Sequence, residues 1–252
     1  MNKTNISYLT HTWNPIAMRC TPCSPGCANC WHLKMADRLA ANPAIFPNRG
    51  RAYAGLSAPL LMDEELTAPM RLKKPAQIGV QFMGDLFHED VPESFICSVL
   101  EHAAEATQHT FLFLTKRPDR MLEISGRPWY GHHIPHFWLG VTVCNQAEAD
   151  AKIPVLLSIP AAVRWLSVEP MLSNVWVPTS YMPRLQWVVV GCESGPRRRP
   201  CNIEWVRSVV AQCKAAGVPV FVKQLDIGGK VISELTQFPA DLQIRAYPEV
   251  KL

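Results

Sequence analysis

The feature that most constrains the fold is a repeated alternation of apolar runs with helix-forming segments. Six runs have the near-continuous apolar composition of buried strands, namely residues 78–83, 110–114, 137–143, 162–168, 185–190 and 218–222, and residues 7–15 are predicted to be a short first strand before them. Helices are predicted over residues 31–41, 63–70, 92–106, 119–124, 146–157 and 203–216, the last of them closed by Gly217. Strands that alternate with helices in this way form a parallel sheet covered by helices, so we expect an α/β fold.

About seven strand–helix repeats favour an open, partial β/α barrel over a flat doubly wound sheet. No strand is followed by G-x-G-x-x-G, so a dinucleotide-binding fold lacks its main sequence support. We expect residues 1–252 to form a single domain with a short C-terminal extension near residues 225–252. Residues 44–75 mix Pro, Gly and Arg and are predicted to be an insertion that lines a substrate entrance.

Residues 20–31, read as C-T-P-C-S-P-G-C-A-N-C-W, are called the cysteine segment below. Cys23, Cys27 and Cys30 have the spacing C-x3-C-x2-C on a short loop rich in Pro and Gly. Thiolates are soft ligands that hold iron–sulfur clusters. A cluster held by three cysteines leaves one iron open to a further ligand.

Two other interpretations of the cysteine segment stay open. Cys20 could complete a four-thiolate zinc site, although structural zinc sites usually take two separated pairs of ligands. A disulfide knot requires an oxidising compartment. Residues 1–12 lack the basic start and apolar core of a signal peptide, so reduced cysteines and a cytoplasmic location are expected.

Composition adds little to the functional prediction. Hydrophobic residues make up 48% of the chain, and no apolar run is long enough to span a membrane, so no membrane partner is expected. The net charge of +4 permits nucleic-acid binding without arguing for it.

Polar residues lie at the carboxyl ends of the apolar runs, at equivalent positions, namely Asp85, Lys116, Thr142, Asn145, Glu169, Glu193 and Lys223. The carboxyl ends of barrel strands meet at one edge, so these side chains are predicted to share a cleft. The alternative for any single residue is a helix cap or a solvated loop.

Three further features have both a functional and a structural interpretation. Arg197, Arg198 and Arg199 suit a phosphate or carboxylate but also a solvated loop, and residues 191–195 weakly resemble an anion-binding loop. An aromatic-rich stretch suits metal binding or base stacking, or simply packs its own neighbours; it contains Trp129, Tyr130, His132, His133 and His136.

Nearly the whole chain resembles a phage-enriched family of radical S-adenosyl-L-methionine (SAM) proteins, distantly similar to spore photoproduct lyase. The resemblance is carried by T-W-N-P, the cysteine segment, M-G-D-L-F-H-E-D-V-P, L-T-K-R-P-D-R, W-L-G-V-T-V, R-W-L-S-V-E-P-M-L, W-V-V-V-G-C-E-S-G-P and A-A-G-V-P-V-F-V-K-Q. It implies a partial β/α barrel of the radical SAM type, a 4Fe-4S cluster, SAM, and an electron donor such as a flavodoxin or ferredoxin.

The resemblance also implies roles for individual residues. Cys27 and Cys30 match cluster ligands; members often have the third cysteine at the position of Cys20, whereas general radical SAM spacing selects Cys23, which we favour. Asn29 replaces the usual aromatic, which leaves adenine packing to Trp31 or another residue. The resemblance places Met83, Gly84 and Asp85 at the SAM amino group, Thr142 and Asn145 at the ribose, and Glu169 and Glu193 near the cofactor or substrate. Glu169, Glu193 and Lys223 are the candidate catalytic residues.

Phage context extends the expectation to hypermodified thymidine in DNA. The expected reaction is isomerisation of N-linked to C-linked glycinylthymidine, with DNA as the substrate partner. Two alternatives are a radical SAM enzyme that repairs DNA lesions and a zinc-stapled nucleic-acid-binding module.

Overall fold

The computed structural model describes residues 1–46, 48–126 and 134–249. Its strands are β1 Asn2–Lys3, β2 His11–Trp13, β3 Ile16–Ala17, β4 Leu60–Leu61, β5 Gln77–Val80, β6 Thr110–Thr115, β7 Phe137–Thr142, β8 Val163–Val168, β9 Trp187–Gly191, β10 Val220–Ile227 and β11 Lys230–Ile232. Its α-helices are α1 Trp31–Ala40, α2 Asn48–Ala54, α3 Asp63–Leu66, α4 Ala68–Arg71, α5 Glu93–Glu105, α6 Pro118–Ser125, α7 Gln146–Ser158 and α8 Ile203–Ala216.

The described part of the central sheet has nine strands in the order β1-β2-β5-β6-β7-β8-β9-β10-β11. The seven strands from β2 to β10 in this order are parallel, and β1 and β11 add antiparallel edges. The strands of this sheet are therefore neighbours in the order in which they follow along the chain, while β3 and β4 pair with each other in a separate two-stranded sheet. The predicted α/β class, with a largely parallel sheet and surrounding helices, is confirmed.

The two faces of the sheet belong to different apolar clusters. Buried residues of α5 to α8, such as Val99 and Val209, pack with outward residues of the strands, such as Phe113 and Val188. The opposite face carries the inner cluster, which contains no residue of those helices; its members are Tyr8, Leu9, Leu112, Trp138, Val163, Trp165, Trp187, Val189 and Phe221. Gly140 belongs to this face because a Cβ there would overlap the indole of Trp165.

The inner cluster shows that the sheet is strongly curved. In a flat sheet, six steps of about 4.8 Å would separate β2 from β10 by about 29 Å. Tyr8 lies three residues before β2, a reach of at most about 10 Å. Its ring centroid nevertheless lies 5.7 Å from that of Phe221 on β10. The sheet must therefore curl until its first and last parallel strands approach each other across the inner cluster.

Local predictions differ from the structure mainly near the N-terminus. Only His11–Trp13 of the predicted 7–15 strand pairs with the sheet. The predicted 63–70 helix is two short helices, α3 and α4, separated at Thr67. Pro69 lies in the first turn of α4, where a missing backbone N–H is tolerated, whereas in the interior of one longer helix it would remove a hydrogen bond.

At the other end, β10 continues to Ile227, beyond its predicted end at residue 222, and forms a hairpin with β11. Helix α8 has the predicted bounds, and Gly217 caps it at φ 67°. No helix in the described ranges is long and apolar enough to span a bilayer.

Candidate active site

Polar side chains replace apolar ones toward the carboxyl edge of the inner face. Side chains two positions apart on a strand point to the same face. On β8 this places Glu169 above Ser167 and the buried Trp165, and on β7 it places Thr142 above Gly140. The inner cluster therefore closes one end of the curled sheet, and polar groups line the other.

The cysteine segment lies across this polar edge. Its middle is a 3-10 helix, Pro25–Cys27, and the Ser24 side chain caps that helix by accepting from Gly26 N at 3.1 Å. A Cβ at Gly26 would overlap Cys144 Sγ and lie 3.2 Å from Pro170 Cδ. Only glycine lets the segment approach the residues that follow β7 and β8 so closely.

Cys20, Cys23, Cys27 and Cys30 line one cavity, here called the cysteine cavity. Its other walls include Trp31, Gly84, Asp85, Lys116 and Thr142. Within residues 1–46, 48–126 and 134–249, no group of three or more His, Cys, Asp or Glu side chains is arranged to hold a single metal ion.

The thiols differ in their surroundings. Cys23 is exposed and Cys27 is buried. A hydrogen bond between them raises the pKa of Cys23 and lowers that of Cys27, which favours a thiolate at Cys27. Burial and the nearby Asp85 carboxylate raise the pKa of Cys20 to about 11.

Arg117, Asp85 and Glu89 form what we call the Arg117 clamp, which fixes the start of the cysteine segment. The guanidinium donates to Thr21 O at 3.0 Å, to Glu89 Oε2 at 2.6 Å and to Asp85 Oδ2 at 3.3 Å. Asp85 is 4% exposed and also accepts from the Thr115 hydroxyl at 2.8 Å. Since Asp85 follows β5 and Arg117 follows β6, the clamp joins two strand ends to the segment.

Arg199, Glu193 and Asn29 form the Arg199 clamp, which fixes the middle of the segment. Arg199 Nη1 donates to Pro25 O at 3.0 Å, and its Nε donates to Glu193 Oε2 at 3.1 Å. Asn29 Nδ2 donates to the same carboxylate oxygen at 3.0 Å. Burial alone would raise the pKa of Glu193, but hydrogen bonds from Arg199 and Asn29 lower it to about 2.

Lys116 lies between the cysteines and the rest of the polar edge, because it lines both the cysteine cavity and the adjoining one. Burial would lower its pKa, but Cys144, Cys27 and Cys30 outweigh that effect and raise it. An ammonium group here stabilises negative charge on the thiols.

The adjoining space, called the Glu169 cavity, contains the second group of predicted residues. Glu169 and Lys223 form an ion pair in it, beside Tyr8, Thr142 and Glu193. Trp31 lines this cavity as well as the cysteine cavity and is 46% exposed, so its indole is available to a ligand.

A larger cavity of about 660 Å³ adjoins these two through shared walls at Trp31 and Phe82. Tyr53 and Met62, from the predicted insertion, line it together with Met83. Residues 44–75 therefore contribute to the approach to the polar edge.

Not every predicted site residue has a free functional group. Asn145 caps α7 by accepting from Glu148 N at 2.9 Å and lines none of the three cavities. The carboxylates of Asp85 and Glu193 are occupied by the two clamps. His136 is buried, and its Nε2 lies 3.1 Å from Ala103 O. Trp129, Tyr130, His132 and His133 lie outside the described residues.

Sequence patterns did not identify the residues that hold the cysteine segment in place. Arg117 was not singled out, although it directly follows Lys116. Arg199 was interpreted only as one of three arginines that suit a phosphate or carboxylate or lie in a solvated loop, and not as a residue that holds the cysteine segment. Gln81 was also missed; its side chain accepts from Ile16 N at 3.1 Å and donates to Met83 O at 2.9 Å. The signal available in the sequence was a polar residue within the apolar run over residues 78–83; the structure ends β5 at Val80, directly before Gln81.

Comparison with known proteins places the chain in a family. Residues 3–241 match the model of a family described as a protein of unknown function, DUF5131. No match was found among curated proteins or among solved structures. Because the matched region covers most of the 252 residues, the chain belongs to the DUF5131 family.

Proposed function

We propose that the protein is a radical SAM enzyme whose cysteine segment binds a 4Fe-4S cluster through Cys23, Cys27 and Cys30. The main support is that all three thiols line one cavity with strand-end residues at the carboxyl edge of a curled parallel sheet. Active sites of barrels of parallel strands form at this edge. The curled sheet supports a partial β/α barrel of the radical SAM type.

The residues around the cysteine cavity suit the cluster and SAM. A cluster held by these three cysteines would leave one iron for SAM, and the exposed indole of Trp31 would pack against the adenine. Gly84 lines the cavity at φ 135°, and a Cβ there would lie 2.9 Å from the Met18 side chain, so glycine is needed for this backbone to face the cavity. Together, a bound cluster and SAM supply hydrogen-atom abstraction from an unactivated carbon after reductive cleavage of SAM.

The protein contributes position, charge and exclusion of water. The two clamps fix the cysteine segment, and the inner cluster closes the far end of the cavities. The proposal places the protein in the reducing cytoplasm, with a flavodoxin or ferredoxin as electron donor.

For the substrate, we propose a hypermodified thymidine in DNA, converted from the N-linked to the C-linked glycinyl form. The supporting observation is the Glu169–Lys223 ion pair in the Glu169 cavity. A glycinyl substituent carries an amine and a carboxylate, which complement the carboxylate of Glu169 and the ammonium of Lys223. The larger cavity beside Trp31 gives a flipped nucleotide room to enter.

The cofactor proposal is tested on protein purified without oxygen. We expect a brown protein with iron and sulfide in equal amounts that releases 5′-deoxyadenosine when reduced in the presence of SAM. A colourless protein that holds one zinc ion and leaves SAM intact would overturn the proposal.

The substrate proposal is tested by mass spectrometry of nucleosides after incubation with glycinylthymidine DNA and, separately, with ultraviolet-irradiated DNA. We expect isomerisation of the first and no change in the second. Repair of the irradiated DNA alone would instead identify a lesion lyase.

Variants of Lys223 test how the substrate is held. Lys223→Met should cleave SAM but lose turnover of the modified nucleoside, because the glycinyl carboxylate loses its partner. Lys230→Met, with the same charge change at an exposed position on β11, is the control.

A further inference from the structure

Residues 194–198, here called the rim turn, border the polar edge beside Trp31. Ser194 lines the Glu169 cavity and the larger cavity, as Trp31 does. The backbone of the turn is fixed, because Arg198 N donates to Gly195 O at 3.3 Å and Asn29 Nδ2 donates to Arg197 O at 2.8 Å. The turn therefore presents its side chains from a defined position.

Two of the three consecutive arginines on this loop have no acidic partner among the described residues. Arg199 is held by Glu193 in the Arg199 clamp. No salt bridge between described residues involves Arg197 or Arg198. Arg197 is exposed, and Arg198 Nε is closed to solvent without a hydrogen-bond partner.

Lys34 is a further cation without a hydrogen-bond partner among the described residues, and it lies against the same turn. Its Nζ is closed to solvent and has no hydrogen-bond partner in the described structure. A Cβ at Gly195 would lie 3.1 Å from this nitrogen, so Lys34 reaches the rim turn directly. A buried cation without a partner is costly, which indicates that an anion belongs beside it.

The position of Trp31 narrows the identity of that anion. Trp31 and Lys34 are three residues apart on α1 and therefore share a face of the helix. An exposed indole stacks on a base, and unpaired cations bind the phosphate of the same strand. A ligand with a phosphate and a base satisfies both groups, whereas a simple carboxylate satisfies only the cations.

We propose that Lys34, Arg197 and Arg198 bind a backbone phosphate of a single-stranded or flipped nucleotide whose base lies near Trp31 on the side of the larger cavity, whereas the adenine of SAM takes the side of the cysteine cavity. The proposal deepens the proposed function and rests on it only for the choice of a nucleic-acid strand as the natural ligand. The phosphate would hold the strand at the rim while the modified base enters the cavities.

The test measures binding of a fluorescent single-stranded oligothymidine to cluster-free, full-length protein by anisotropy at rising KCl concentrations. Lys34→Gln and Arg198→Gln should each weaken binding about fivefold and reduce the salt slope by about 0.7. Trp31→Ala should weaken binding without changing the salt slope, because stacking releases no counterions. Lys74→Gln removes one charge at an exposed position before β5, at the opposite edge of the sheet, and should bind like the wild type.

Two outcomes would overturn the proposal. In the first, Lys34→Gln, Arg198→Gln and Lys74→Gln all bind the oligothymidine as tightly as the wild type; in the second, all three lose affinity by the same factor. Urea unfolding of each variant separates loss of the site from loss of the fold. Thymidine monophosphate and inorganic phosphate are tested as competitors of the oligothymidine. If the substitutions weaken binding of these two competitors but leave binding of the oligothymidine unchanged, the site holds a free phosphate and the proposal of a nucleic-acid strand is overturned. The assay needs no cluster, so a failure of the cofactor proposal leaves its outcome unaffected.

Discussion

The cysteine segment is held at two places by two clamps of the same chemistry but different surroundings. Each clamp pairs an arginine with a nearly buried carboxylate, Asp85 at 4% exposure and Glu193 at 5%. The side chain of Arg117 is 12% exposed, whereas that of Arg199 is 34% exposed. The Arg117 clamp is therefore the more deeply enclosed of the two.

The two clamps also differ in role, because the carboxylates of Asp85 and Glu193 accept hydrogen bonds from different parts of the chain. Asp85 accepts from the Thr115 hydroxyl and from Lys116 N, at 2.8 Å and 3.2 Å, so it ties β5 to the end of β6 as well as to Arg117. Glu193 accepts from Arg199 N at 2.8 Å and from Asn29, so its partners belong to the loop that follows β9 and to the cysteine segment. The Arg117 clamp is part of the fold, whereas the Arg199 clamp connects the loop after β9 to the cysteine segment.

The largest predicted effect is the loss of cluster formation when Cys23, which lies between the two clamps, is replaced. Cys23→Ala should abolish cluster formation, because it removes the third thiolate of the C-x3-C-x2-C spacing. Cys20→Ala should keep most of the cluster, because Cys20 lies at the Arg117 clamp, where Arg117 Nη1 is 3.8 Å from its sulfur. Iron and sulfide content per chain after anaerobic reconstitution is the measurement, and the reverse ranking would assign the third ligand to Cys20.

The second prediction is that removing the carboxylate of each clamp lowers the free energy of unfolding by a different amount. Asp85→Ala should lower the free energy of unfolding by roughly 3–5 kcal/mol, because it leaves Arg117 and buried backbone donors without their acceptor. Glu193→Ala should cost less, about 1–2 kcal/mol, because the more exposed Arg199 regains water. Urea unfolding of cluster-free protein measures both, and equal losses would contradict the assignment of the Arg117 clamp to the fold.

Much of the fold could be predicted from the sequence because parallel strands buried on both faces are apolar throughout. Strand β6 was predicted to within one residue, and α8 with both bounds. The short β3–β4 pair and the break between α3 and α4 were not predicted, because two to four residues carry no recognisable periodicity.

The site was predictable in its location but not in its hydrogen bonding. The rule that polar residues collect at the carboxyl ends of strands gathers Lys116, Thr142 and Glu169 at the cavities. It does not distinguish a carboxylate that faces a cavity from one that holds a loop. Glu169 and Glu193 end successive strands, and only the contacts of Arg199 and Asn29 show that Glu193 is committed to the cysteine segment.

The smallest effect concerns acid stability and belongs to the Arg199 clamp. Burial would raise the pKa of Glu193, but its hydrogen bonds with Arg199 and Asn29 lower it to about 2, whereas the pKa of a glutamate in the unfolded chain is about 4.3. Above the unfolded value both states are ionised, so the full stabilisation is present. As the pH falls toward about 2, the unfolded state binds the proton first and the stabilisation is lost.

Glu193→Gln removes this titration, so the free energy of unfolding of cluster-free protein should fall less steeply than that of the wild type between about pH 4.5 and 2.5. The difference in slope is bounded by about 1.4 kcal/mol per pH unit for one proton. Glu89→Gln is the matched control in the Arg117 clamp, where the pKa of Glu89 is also lowered to about 2 but its side chain is 58% exposed. Solvent screening should make its change in slope smaller than that of Glu193→Gln. A larger change in Glu89→Gln would mean that the exposed carboxylate, and not the enclosed one, dominates the acid response of the clamps.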